Sequence, residues 1–137
     1  MPSQTKIIHV TLFAAVLMML AGCSRSGQQQ QVDNMTLEVI TAPAPLQVGK
    51  NAMITAILSR AGEPVNDCNV RFRQHMPGME MTSDKTFFPM KPQGPEGAYA
   101  AQSSEFSMGG DWELEFAIEC GQQTHKVVFP YHLEWPE

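Results

Sequence analysis

The clearest signal in the chain is a two-residue alternation of apolar and polar positions. Between Asp111 and Cys120, the residues Trp112, Leu114, Phe116, Ile118 and Cys120 fall on one side of an extended segment. Glu113, Glu115 and Glu119 fall on the other, with Ala117 among them. Alternation of this length predicts an antiparallel strand with one face on a core and one in water. Cys68 to Gln74 repeats the pattern, with Cys68, Val70 and Phe72 against Asn69, Arg71 and Arg73. Outward Arg71 and Arg73 are expected opposite Glu113 or Glu115, where exposed ion pairs contribute little. Further strands are predicted over Met35–Thr41, which stops at Pro43-Ala44-Pro45, and over Ala52–Ser59, which follows Gly49-Lys50-Asn51. Another lies near Tyr99, and a last one runs from Thr124 to Leu133, with Pro130 placing its far half at a sheet edge. Arg60–Val65 reads as a turn and Lys91–Gly97 as a loop, because glycine and proline punctuate both. No convincing helical repeat follows residue 22. About seven short strands with Gly/Pro turns predict an all-β domain over residues 35–137, an immunoglobulin-like antiparallel β-sandwich.

The start of the chain has a different pattern. Lys6 precedes an apolar run, Ile7 to Leu20, broken only by His9 and Thr11. This describes a secretory signal over residues 1–22, too short for a membrane span. Leu20-Ala21-Gly22-Cys23 resembles the lipobox of bacterial lipoproteins. That resemblance implies that Cys23 becomes the first mature residue and carries several acyl chains, enough for stable anchoring. Ser24, standing where Asp would signal retention, implies a periplasm-facing position at the outer membrane. The competing reading is an ordinary cleaved signal with a spare cysteine. Residues 23–34 hold a Ser-Gly and four consecutive glutamines, and are expected to form a flexible tether. Asn34-Met35-Thr36 matches a glycosylation acceptor, a match that a bacterial lipoprotein makes incidental.

Removing the signal leaves 115 residues, enough for one domain with a modest core. The remainder carries 8 basic against 14 acidic residues, and no basic stripe. Nucleic acid is a poor partner for such a surface. With Cys23 committed to lipid, Cys68 and Cys120 remain, both on the inward parity of their strands. An oxidising compartment predicts a disulfide between them through the core; two metal-binding thiolates are the alternative.

Candidate chemistry concentrates in His75-Met76-Pro77-Gly78-Met79-Glu80-Met81, with Met90 and Met108 further on. Pro77-Gly78 is a turn dipeptide. Met79 and Met81 are two residues apart, so in an extended segment they share a side. Thioether and imidazole suit Cu(I). Methionine is also a flexible filler of gaps, and a loop folded over a β-core uses it that way. His125 and His132 lie on the final strand and read as surface or core residues. Neither Cys-x-x-Cys, a phosphate-cradling glycine motif nor a nucleophile elbow occurs, so no enzymatic activity is expected.

Met76-Pro77-Gly78-Met79-Glu80-Met81, Gly97-Ala98-Tyr99 and Phe106-Ser107-Met108-Gly109-Gly110-Asp111-Trp112 together resemble the YtkA-like domain family, relatives of FixH-like proteins. The match covers roughly Leu37 to Phe129, with one residue more between Met108 and Trp112 than the shortest form of the motif. The resemblance implies an exported immunoglobulin-like sandwich linked to copper handling and to assembly of copper-containing oxidases or metal efflux. It carries Met79 and Met81 over as metal-ligand candidates, with Met76 and Met108 in the shared pattern. His75 is added from its spacing alone. Two functions are therefore expected to compete. One is a lipid-anchored module that transfers or sequesters Cu(I), with a copper protein or membrane complex as partner. The other is a metal-free interaction module using the methionine loop or a sheet edge.

Overall fold

In a computed structural model, the described residues are 27–79 and 85–137. The signal segment, Cys23, Glu80 and Met81 lie outside them. Among the described residues nine strands follow one another: β1 (Gln28–Val32), β2 (Met35–Ala42), β3 (Met53–Arg60), β4 (Glu63–Pro64), β5 (Cys68–His75), β6 (Phe88–Pro92), β7 (Ala98–Gln102), β8 (Gly110–Cys120) and β9 (Gln123–Leu133). They pair antiparallel in the order β1-β2-β3-β7-β6-β5-β8-β9, with β4 a short addition on β3. Strand β6 crosses between the layers, pairing β5 through Phe88–Met90 and β7 through Lys91 and Pro92. The result is the expected antiparallel sandwich, nearly closed, with nine strands instead of about seven. Pro89 and Pro92 hid β6, because proline reads as loop although it is tolerated where a strand need not donate.

The core forms between the alternating inner faces. Phe72, Phe116 and Phe129 are fully buried from one layer, and Leu37, Ile54 and Leu58 from the other. The Phe116 and Phe129 rings meet edge to face at 5.6 Å. Burying side chains of this size stabilises the fold by roughly 1.5–3 kcal/mol each, which makes the stripe on β8 the backbone of the core. Gly97 shows why the G-x-Y segment is needed. Its φ is +81°, and an added Cβ would lie 2.6 Å from the Leu58 carbonyl oxygen. Tyr99, two residues on, donates its hydroxyl to the Val65 carbonyl at 2.9 Å.

Cys68 and Cys120 are bonded and stand directly opposite in the β5–β8 register. The bridge therefore joins neighbouring strands of one layer at the end of their ladder; it does not cross the core. The outer face of β8 also departs from expectation. Glu115 and Ala117 are buried, at 8% and 2% exposure. The Arg73 guanidinium covers Glu115, with Arg73 Nε 2.6 Å from its carboxylate, while Phe87 stacks beneath that guanidinium at 5.2 Å.

The glutamine run is the main correction. Residues 23–34 were expected to be a flexible tether, yet Gln28–Val32 forms β1 along β2. Composition misled here because glutamine amides can stand in for backbone groups. Gln28 and Gln30 share the side of buried Val32, and their Nε2 atoms donate to the Pro130 and Val128 carbonyls at 2.9 and 2.7 Å. These bonds stitch β1 to β9 and close the sheet. The Gln28→Ala/Gln30→Ala variant is expected to lose about 1–3 kcal/mol and to speed amide exchange across residues 28–32. Unchanged exchange would show that the seam does not depend on these amides. Replacing Cys68 and Cys120 with alanine is expected to cost about 4 kcal/mol in urea unfolding, the loop-closure value for a 52-residue separation.

Candidate functional site

Strand β5 ends at the methionine motif, and its parity divides that motif. His75 points to the outer face, where Nε2 lies 3.2 Å from Glu113 Oε2. It is the last rung of a ladder that includes Arg73 with Glu115 and Arg71 with Glu119. Met76, the next residue, turns inward and is only 9% exposed. Adjacent residues of an extended chain face opposite ways, so His75 is not brought to the Met76 side. The chain then reverses. The Met79 amide donates to the Met76 carbonyl at 3.1 Å, and Gly78 has a φ of +81°. Pro followed by a positive-φ glycine builds a type II turn. Met76 and Met79 are bridge partners across it. Paired residues of an antiparallel ribbon share a side, so these two thioethers are presented together. Met79 is 47% exposed, which gives the pair one buried and one accessible member.

The loop into β8 supplies the neighbouring wall. It is pinned by polar side chains: Gln74 accepts from the Ser104 amide at 3.0 Å and donates to the Ser104 carbonyl at 3.2 Å. Asn51 donates to the Ser103 carbonyl at 2.9 Å. Phe106 is then buried with its ring edge-on to Trp112 at 5.1 Å, and the Trp112 indole donates to the Met108 carbonyl at 2.9 Å. Met108 is partly buried against the core. Gly110 faces Met76: an added Cβ there would lie 3.0 Å from the Met76 methyl. The M-G-G-x-W turn thus lets the Met76 side chain pass close to the backbone.

The expected donors therefore sort by position. Met76 and Met79 are paired, Met108 belongs to the adjoining loop, and His75 belongs to the opposite face. Met81 and Glu80 lie outside the described residues. Met90 is buried at the β5–β6 contact. His125 and His132 are on β9 as expected, the former paired with Asp33. Among the described residues no group of three or more His, Cys, Asp and Glu is placed to hold a metal. Gln74, which fixes the loop carrying Met108, was missed; its only sequence sign was a polar residue on an inward position. Trp135 was missed too. It lies over Gly109, where an added Cβ would come within 2.7 Å of the indole.

These features define an antiparallel β-sandwich that carries two bridge-paired methionines on a hairpin at one end. The YtkA-like family profile matches residues 29–117, and the chain belongs to that family. That match begins inside β1, in agreement with the glutamine strand being part of the domain. Among solved structures, the ZirS C-terminal domain is similar at 16% identity and a TM-score of 0.46, over 98% of this chain and 86% of that one. No curated protein matches.

At the same end, His132 Nδ1 lies 2.7 Å from Asp111 Oδ1 and Nε2 lies 3.6 Å from Glu134. The hydrogen bond with Asp111 chiefly raises the His132 pKa above its usual value. The imidazolium is favoured in the folded chain. Its contribution is therefore full below the unfolded pKa and is lost as pH rises through the raised one. An NMR titration is expected to place the His132 midpoint above that of the urea-unfolded chain, and Asp111→Asn to bring it down. Equal midpoints would remove the pairing from solution.

Proposed function

We propose that this protein is a lipid-anchored module on the periplasmic side of the outer membrane that holds Cu(I) through thioethers and passes it on. The observation that carries the reading is the direct opposition of Met76 and Met79 across the Pro77-Gly78 turn. Thioethers suit a soft cation, form no disulfides and need no deprotonation to bind. Met79 offers an accessible first contact, and Met76 a recessed second one beside Gly110. Met81, two residues beyond Met79 in the sequence, and Met108, on the adjoining loop, are the further donors. Copper here is cargo. Two or three neutral donors at a half-open site hold it less tightly than a closed thiolate cage, which suits transfer. The signal-like segment and Leu20-Ala21-Gly22-Cys23, which resembles a lipobox, support export and anchoring.

His75 leaves the proposed donor set, because its imidazole is engaged with Glu113 on the other face. Its substitution becomes an internal control. In a Cu(I) competition with a chromogenic chelator, Met76→Leu/Met79→Leu is expected to weaken binding at least tenfold, whereas His75→Gln leaves it within twofold. Leucine retains the buried volume, so thermal unfolding should move little. Unchanged competition by the double variant, or loss on His75→Gln alone, would overturn the assignment.

A further inference from the structure

The exposed large hydrophobic side chains among the described residues are Met53, Met79, Val128 and Trp135. Strand register places three of them at one pole. Met53 opens β3 opposite Ala42 and Gln102, the last residues of β2 and β7. Met79 follows the end of β5, and Trp135 follows the end of β9 and lies on Gly109, just before β8. Trp135, at 64%, is the most exposed of the four. The same register puts the first residue of β1 toward that pole, because Gln28 pairs with Val39 near the end of β2.

The covalent geometry then limits where the pole can sit. Gly27 is already packed, since an added Cβ would lie 3.0 Å from Glu38. Only Ser24, Arg25 and Ser26 separate it from Cys23. Counted from Gln28, the five Cα steps to Cys23 reach at most about 18 Å. Strands β2 and β9 continue three residues beyond the level of Gln28, to Ala42 and Leu133, which takes up about 10 Å. Little length remains to hold the pole away from a bilayer in which Cys23 is anchored.

We propose that this pole rests on the bilayer surface, with Trp135 at the headgroup level and Met79 and Met53 beside it. The inference relies on lipidation of Cys23, part of the function proposed above. Indole is suited to the boundary between headgroups and acyl chains. Asp111 and Glu134 are strongly exposed at this pole. Their charge disfavours anionic lipid, so the partner surface is a zwitterionic headgroup layer. The thioether hairpin consequently faces the membrane, which directs cargo exchange to a partner embedded in the same bilayer.

The test uses the acylated mature chain, beginning at Cys23, in phosphatidylcholine vesicles containing brominated phosphatidylcholine. Trp135 fluorescence is expected to fall at least twofold, and Trp135→Phe to remove the quenched component, leaving buried Trp112. A Gln122→Trp probe in the Trp135→Phe background marks the opposite pole and is expected to stay unquenched. Trp135 no more quenched than the Gln122→Trp probe would overturn the orientation while leaving the anchor intact. Mass spectrometry of Cys23 separates the two ideas: an unacylated chain in the soluble fraction would overturn both.

Discussion

The pairing of β5 with β8 is the contact on which the rest depends. Cys68 faces Cys120 at one end of this ladder and His75 faces Glu113 at the other. Between them the inner parity supplies Val70, Phe72, Leu114, Phe116 and Ile118 to the core. The outer parity supplies the rungs of Arg and Glu, roofed by Phe87. Both faces are therefore specified, and a shift of one residue would exchange the core for the charges. The disulfide adds a covalent peg to the same register. Because register is fixed at both ends, the side on which Met76 emerges is fixed as well.

The end of the sandwich beyond His75 is built by different forces. Amides of Gln74 and Asn51 hold the loop that carries Phe106 and Met108, and the Trp112 indole caps the Met108 carbonyl. The type II turn at Pro77-Gly78 supplies the hairpin, and Gly110 leaves room for the Met76 methyl. This end is made from backbone shape and soft side chains, with the ion-pair ladder of β5 and β8 on the opposite face. Tyr131, near the same pole, has its pKa pushed up to about 12 by burial alone.

Much of this architecture was legible in the order of residues. The strict alternation over Trp112–Cys120 gave the central strand, and the shared inward parity of the cysteines gave their bridge. What failed did so for identifiable reasons. Gln28–Val32 reads as low-complexity spacer because composition says nothing about an amide finding a carbonyl 98 residues away. Glu115 reads as a solvated charge because covering by Arg73 and Phe87 is a tertiary event. At the hairpin, the turn pairs Met79 with Met76, a partnership that spacing along the chain did not suggest, while Met81 lies outside the described residues. Nearness in sequence placed His75 with the sulfurs, but alternation along β5 separates them.

That separation makes the proposed chemistry unusually specific, because imidazole and thioether leave different spectroscopic signatures on copper. The direct measurement is X-ray absorption at the copper edge on the Cu(I)-loaded protein. The account predicts a first shell of sulfur scatterers, without the outer-shell pattern of a bound imidazole, and the same spectrum from His75→Gln. An imidazole pattern that vanishes in His75→Gln, or a shell with no sulfur, would contradict it.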